Sequence, residues 1–368
     1  MRIIGIILFM FGLMGGGVYY VSNRFALFLP LMSFGGWLSC FGGLTIVLFV
    51  LLQILFEPPN LFLKSIYKIS AYWLIIMLYL FVSVLLIDFI GLFIWLSSTT
   101  RWLSSLVITI LCMIYGVINA RKLKIKEITI QIENLEKAIK IVHISDIHLG
   151  SFWGKDRVEQ IVTKIQEINP DVIFNTGDLY DNKAFIDEDT DILEPFQNLS
   201  VPHFFVYGNH DEYAGLEKIA KRLEKVGIKF LKNEIAFFNE IQIIGLNDML
   251  KDENAIDLHT KLSADTIKSV LEKIEIDENK ATIALHHRPD GCEHLKAKKV
   301  NLFLAGHTHG VQLFPFTLFS KAFFTYNKGL YKYKDLNIFV SQGIGTIFAP
   351  VRLGTRSEIA VINLGGGS

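Results

Sequence analysis

The chain has 368 residues, about twice what one ordinary domain needs, and Lys plus Arg equal Asp plus Glu at 36 each, so no overall charge draws it to nucleic acid. A hydrophobic fraction of 51% and a mean hydropathy of +0.39 are too high for a purely soluble chain, while a charged fraction of 20% is too high for a wholly buried one. These figures exclude a disordered chain, a small disulfide scaffold and a basic nucleic-acid module.

The charge is unevenly spread. Residues 1–120 hold Arg2, Arg24, Lys64, Lys68 and Arg101 against only Glu57 and Asp88. Four apolar segments fill this part, at about 3–22, 27–56, 70–96 and 102–118. A spanning helix needs about 20 apolar residues, so four transmembrane helices are expected. No small-residue cleavage site follows Tyr19-Tyr20-Val21, and the first segment reads as a retained helix. Asp88 lies about 20 residues past Lys68, which at roughly 1.5 Å per residue brings it to the far membrane interface. Arg2, Lys64, Lys68, Arg121, Lys122, Lys124 and Lys126 flank one membrane side, Arg24 and Arg101 the other. The bias predicts an inner-membrane, multi-pass protein with both termini in the cytoplasm. Residues 121–138 read as a basic linker into a second domain over 139–364. Cys292, alone in that half, reads as a small buried hydrophobe.

Beyond residue 127 short β-rich runs alternate with amphipathic helices. Ile141–Ser145 reads as a buried strand; Val158, Ile161, Val162, Ile165 and Ile168 keep helical spacing up to Asn169-Pro170; Val172–Asn175 is the next strand. A strand over 203–207 precedes a helix over 213–226 closed by Gly227, and further strands are expected at 241–246, 282–286, 300–305, 337–341 and 359–364. The alternation predicts a layered α/β domain.

Polar blocks gather where these strands run out into loops, the place α/β folds put their sites. They are Asp146-Ile147-His148, Gly177-Asp178, Gly208-Asn209-His210-Asp211, His286-His287-Arg288-Pro289 and Gly306-His307-Thr308-His309. Any one alone is weak. Five together, offering carboxylate oxygen and imidazole nitrogen at successive strand ends, point to Mn, Fe or Zn rather than to Mg or Ca. The glycines before Asp178, Asn209 and His307 let the chain turn sharply.

This order of blocks resembles that of the calcineurin-like metallophosphoesterases, over about residues 139–364. The resemblance implies a pair of β-sheets sandwiched between helices (an αββα domain) and a dinuclear centre of two divalent ions, manganese foremost. Asp146, His148, Asp178 and His309 would hold one metal, and Asp178 would bridge to a second held by Asn209, His287 and His307. His210 matches the family's catalytic histidine and Asp211 its carboxylate partner. Neighbouring strand residues point to opposite sides, and the family ligand stands two residues before the proline, which selects His287 and leaves His286 structural. Membrane-associated relatives carry a glycine where this chain has Val311, a change expected to narrow the space beside the site. Arg288 and Arg352 are the candidate substrate contacts, because guanidinium pairs well with phosphate.

The implied activity is hydrolysis of a phosphoester or pyrophosphate by metal-activated hydroxide. An anchor concentrates lipid substrates, so a lipid-linked phosphoester at the cytoplasmic face is favoured, UDP-2,3-diacylglucosamine or an isoprenoid phosphate being concrete examples. The alternative is a phosphodiesterase acting on a soluble diester such as a cyclic nucleotide, with the helices serving only as an address. A non-catalytic binding protein is disfavoured, because no ligand of the set is missing. The aromatic run Phe314, Phe316, Leu318, Phe319, Phe323 and Phe324 either borders an acyl groove or dips into the interface, or else is ordinary core and hairpin packing.

Overall fold

A computed structural model describes residues 2–55, 60–132, 134–183, 186, 191–253 and 265–366. Phe56, the last residue of the segment 27–56, and the terminal Gly367-Ser368 lie outside them. The chain divides into two compact units, Met1–Ile118 and Asn119–Ser368.

Four helices make up the N-terminal part: α1 (Arg2–Phe28), α2 (Phe34–Ile54), α3 (Leu61–Ile90) and α4 (Ser98–Arg121). Three stretches, Phe34–Ile54, Phe62–Ile90 and Ser98–Arg121, are long and apolar enough to cross a membrane. The expected first span lies within α1. Asn60 starts α3 by accepting a hydrogen bond from Leu63 N–H at 3.0 Å, so Lys64 and Lys68 stand inside a helix and not in a loop. Asp88 finds both of the arginines expected at its membrane face: Arg24 Nε lies 2.7 Å away and Arg101 Nη1 3.2 Å, while Tyr20 donates at 2.5 Å. An acid at the end of an apolar helix is thereby paired, as ionisable groups in such places need to be.

The second unit is built on twelve strands: β1 (Leu123–Ile132), β2 (Ile139–Ile144), β3 (Val172–Asn175), β4 (His203–Phe205), β5 (Lys229–Phe230), β6 (Glu234–Phe238), β7 (Ile241–Gly245), β8 (Thr282–Leu285), β9 (Leu302–Ala305), β10 (Gly329–Tyr333), β11 (Leu336–Val340) and β12 (Ser357–Gly366). They form two six-stranded sheets, ordered β1-β12-β2-β3-β4-β5 and β10-β11-β9-β8-β7-β6. Ile141, Phe174, Ile362 and Ile243, Ile283, Leu304 pack face to face between the sheets, fully buried. On the outer face of the first sheet, α5 (Lys155–Ile168) buries Val158, Ile161 and Ile165 against Val142 and Ile173. The outer face of the second is covered by Val270 and Leu271 of one short helix (Ile267–Lys273) and by Leu295 of another (Cys292–Ala297), with Cys292 buried among them. The result is the expected helix–sheet–sheet–helix sandwich.

Two sequence expectations need correction. The stretch 121–138 is more than a basic linker, because β1 occupies ten residues of it and pairs in parallel with β12 from Leu123↔Ser357 to Ile132↔Gly366. The helix expected over 213–226 is broken by Gly215 at φ +114 into α6 (Asn209–Ala214) and α7 (Leu216–Lys225). An L side chain rarely adopts that backbone, so the helix stops and restarts there.

Candidate metal centre

Strands β2, β3 and β4 run parallel in the first sheet, and β8 and β9 run parallel in the second. Their carboxyl ends meet at one rim, where five loops cross-link. Asp146 N–H donates to Gly177 O (2.8 Å), His148 N–H to Asp178 O (3.0 Å), His210 N–H to Asp178 Oδ1 (2.9 Å) and His307 N–H to Asp146 Oδ1 (3.0 Å). The backbone there is strained. Asp146, His148, Asp178, His307 and His309 all sit in the left-handed region, at φ 54, 53, 52, 72 and 49. Such conformations cost about 1–3 kcal/mol each and cluster where a site over-determines them.

The glycines of the blocks do two different jobs. Gly177, at φ +92, turns the chain sharply as expected. Gly208 does not; its φ is −107, and its role is space. A Cβ on Gly208 would stand 2.3 Å from Asp178 Oδ1, and one on Gly306 would stand 1.9 Å from Ser145 Oγ and 2.4 Å from Asp146 Oδ2.

The carboxylate and imidazole donors gather into two sets around Asp178. Asp146, His148 and His309 each offer an atom within 4.8 Å of the others, and so do Asp178, His287 and His307. His148 Nε2 is 3.0 Å from His309 Nε2, which is 3.5 Å from Asp146 Oδ1. His287 Nε2 is 3.2 Å from His307 Nδ1. Asp178 Oδ2 lies between the sets, 3.1 Å from His287 Nε2 and 3.7 Å from His148 Nε2. Two observations fit this arrangement to divalent cations. Asn209 Oδ1 is buried and accepts no hydrogen bond, although a buried amide oxygen needs a partner. Thr176 O lies 2.7 Å from His287 Nδ1, so Nδ1 carries a proton and Nε2 is the nitrogen turned towards a metal, as outer carbonyls arrange for ligating histidines.

Electrostatics point the same way. Burial opposes charge on His287, yet the Asp178 carboxylate, through charge and hydrogen bond, and Asp146 push its pKa up to about 10. Burial likewise works against ionised Asp178, but the neighbouring His287 and His210 hold it well below the usual carboxylate range. Burial and the repulsion of Asp178 push Asp211 up to about 7, and burial raises Asp146. His309 is held well below an ordinary histidine by burial and by His148 and Arg352. Protons therefore occupy part of this buried donor set, and cations would displace them.

The structure separates the two members of the expected His210–Asp211 pair. Asp211 is fully buried and spends both oxygens on backbone: Oδ1 accepts from Leu179 N–H (2.9 Å) and Tyr180 N–H (3.0 Å), Oδ2 from Gly208 N–H (3.0 Å). It latches the loop after β3 to the loop after β4. The groups facing His210 belong to Asp181, whose carbonyl oxygen is 3.0 Å and whose Oδ1 is 3.5 Å from His210 Nδ1. The same Oδ1 lies 3.3 Å from His148 Nδ1. Asp181 was the residue missed from sequence, and the acid three positions after Asp178 in Gly-Asp-Leu-Tyr-Asp is the signal that could have found it.

Both candidate arginines make contacts within the protein, and Arg288 also lines the cleft beside His307. Arg288 is buried and forks onto Asp248, at 2.8 Å and 3.1 Å. Arg352 is fully buried; it donates to the carbonyls of Gln342 (2.7 Å), Gly345 (2.7 Å) and His309 (3.3 Å) and lies 3.2 Å from His309 Nδ1. It shapes the ligand loop. His286 turns the other way from His287: Met249 N–H reaches its Nε2 at 3.4 Å, its Nδ1 meets Arg288 O at 2.8 Å, and burial lowers its pKa to about 4. Val311 stands at φ 60, a backbone conformation that strains a β-branched residue. A small cleft of about 160 Å³ opens beside His307, walled by Pro289, Phe323, Phe324 and Tyr326.

Comparison with known proteins agrees with this geometry. The calcineurin-like phosphoesterase family matches over residues 139–311. A metallophosphoesterase of Helicobacter pylori (strain ATCC 700392 / 26695) is 36% identical over 245 residues, 66% of this chain and 64% of the relative, so the chain spans less than two thirds of that protein. One from Aquifex aeolicus (strain VF5) is 32% identical over 70% of this chain and 98% of its own length. A transmembrane protein with metallophosphoesterase domain from Danio rerio is 31% identical over 73% of this chain and 63% of its own. With its histidines and carboxylates gathered at the strand ends of such a domain, the chain belongs to the calcineurin-like phosphoesterase family.

Proposed function

We propose that the chain is a membrane-bound dinuclear phosphoesterase that hydrolyses a lipid-linked phosphoester or pyrophosphate at the cytoplasmic face of the inner membrane, with α1 as a fourth span. The observation that carries the reading is the position of Asp178 Oδ2 between two histidine–carboxylate sets, in a chain that also carries three helices long and apolar enough to cross a membrane. When bound, two divalent ions supply Lewis acidity for the phosphoryl oxygens and a nucleophilic water at neutral pH. Asp146, His148, Asp178 and His309 would hold one ion, and Asp178, Asn209, His287 and His307 the other.

The remaining work falls to the chain itself. His210 is partly exposed, and with Nδ1 facing Asp181 its Nε2 is the atom that protonates the leaving oxygen. Asp181 fixes the orientation of the His210 ring. Thr176 O fixes the orientation of His287, and the Asp211 latch keeps Asn209 and Asp178 adjacent. The lysine-rich flank after α4 supports the cytoplasmic orientation.

The test compares Mn-dependent hydrolysis of bis(p-nitrophenyl) phosphate and of a UDP-linked diacyl sugar in micelles by the purified full-length protein. Strong preference for the lipid is expected. Turnover of the small diester with none of the lipid would move the assignment to a soluble phosphodiester, and turnover of neither, with metal bound, would overturn it.

A further inference from the structure

We infer that the turn Phe314–Phe323, with the neighbouring Ile347-Phe348, is a docking surface that seats the catalytic unit on a bilayer rich in anionic lipid. The inference concerns where this unit rests, and it holds whichever phosphoester is cleaved.

Leu318 (69%), Phe319 (60%), Phe348 (48%) and Phe323 (46%) are exposed to an extent unusual for large apolar side chains in a folded domain, with Ile347 and Phe314 more than a third exposed beside them. They form one surface. Phe314 N–H donates to Leu353 O at 2.7 Å, and Leu353 N–H donates to Gln312 O at 3.2 Å. Gln312 Nε2 donates to Ile347 O at 3.1 Å, while a Cβ on Gly354 would meet Thr317 at 3.2 Å. The two stretches therefore lie side by side.

What covers this surface follows from where the chain enters the unit. Asn119, the unit's first residue, donates through Nδ2 to Arg352 O (3.0 Å) and Thr355 O (2.7 Å). It comes directly after Ile118, an exposed apolar residue of a helix with membrane-crossing composition. The segment 352–355, and the turn bonded to it, are thus held within a few residues' length of the C-terminal end of that apolar helix. Charge agrees. Residues 312–334 and 341–357 contain no Asp or Glu, while Lys321, Lys328 and Arg356 are exposed among them. Apolar tips between cationic side chains suit the boundary between anionic headgroups and acyl chains. Phe323 also walls the cleft beside His307, so docking here brings that cleft to the membrane surface.

The test uses the full chain in vesicles of phosphatidylethanolamine and phosphatidylglycerol, with Cys40→Ser, Cys112→Ala and Cys292→Ala and one environment-sensitive fluorophore. Labels are placed at Leu318→Cys or Phe319→Cys, and at Phe237→Cys, exposed on β6 at the opposite edge of its sheet from β10. Lipids carrying a shallow nitroxide are expected to quench the first two severalfold more than the third. Equal quenching at all three sites overturns the inference. So does burial of the first two labels that rises with protein density and is indifferent to the nitroxide, because a second copy then covers the surface.

Discussion

Replacing Asp211 by asparagine separates its two conceivable roles. In the structure it accepts three backbone hydrogen bonds in a fully buried setting, from Leu179, Tyr180 and Gly208. Asparagine keeps one oxygen. With that oxygen on Leu179 and Tyr180, its NH₂ faces the Gly208 N–H, donor against donor; the flipped amide loses two bonds instead of one. The better arrangement forfeits one charge-assisted bond and leaves a buried donor unpaired, about 2–4 kcal/mol in total. For a unit of this size that lowers Tm by roughly 4–15 °C. Metal affinity falls with it, because Gly208 and Asn209 are no longer held against Asp178. At saturating metal, kcat stays within severalfold of the parent and its pH profile keeps its shape, because His210 answers to Asp181. Differential scanning calorimetry of the metal-loaded protein, run beside kcat–pH profiles, decides the matter. An unchanged Tm with kcat down about a hundredfold and the alkaline limb displaced would place Asp211 behind His210 as its proton-positioning partner and refute the latch.

Three further outcomes are expected. Gly306→Ala brings a Cβ within 1.9 Å of Ser145 Oγ and 2.4 Å of Asp146 Oδ2, so metal content measured by inductively coupled plasma mass spectrometry should fall while the far-ultraviolet dichroism is kept; full metal content would show that the loop yields. Because the metal-free His287 has its pKa pushed up to about 10, it is protonated at pH 8 and must lose that proton to ligate; Mn²⁺ added to metal-free protein should acidify a weakly buffered solution, and affinity should rise with pH towards 10, whereas no proton release would refute the protonated state. Val311→Gly removes a β-branched residue from φ 60, a strain of about 1–2 kcal/mol against about 0.5–1 kcal/mol of added chain entropy, so Tm should rise by a few degrees; a fall would mean that Val311 packing outweighs its backbone strain.

How far the sequence could be read depended on which physical rule each feature obeyed. The five strand-end blocks carried their chemistry in residue type alone; alternation admitted only one of the two adjacent histidines, and the family spacing before Pro289 selected His287. Asp211 meets backbone donors and not the His210 ring because residues 209–214 form a helix. Consecutive residues on a helix diverge by about 100°, so an acid adjacent in sequence to His210 is among those least able to face it. Asp181 meets the imidazole from another loop, across a register that sequence spacing does not encode. The partners of the arginines were hidden for a related reason. Whether a guanidinium meets phosphate or a nest of carbonyls depends on where loop backbone folds back, as it does around Arg352 at Gln342 and Gly345. In β1 the lysines hid a strand behind the look of a basic membrane flank: Lys124 and Lys126 stand on its half-buried face, while Ile125, Glu127, Thr129 and Gln131 are the exposed ones. Val311 joins these cases to function. Its neighbours His307 and His309 share its left-handed backbone, so the strain is a property of the ligand loop and not of one residue. A loop held in that conformation by the Arg352 contacts and by the His307–Asp146 bonds places its two histidines before any cation binds, and what is lost in backbone energy is recovered as preorganisation for the metal.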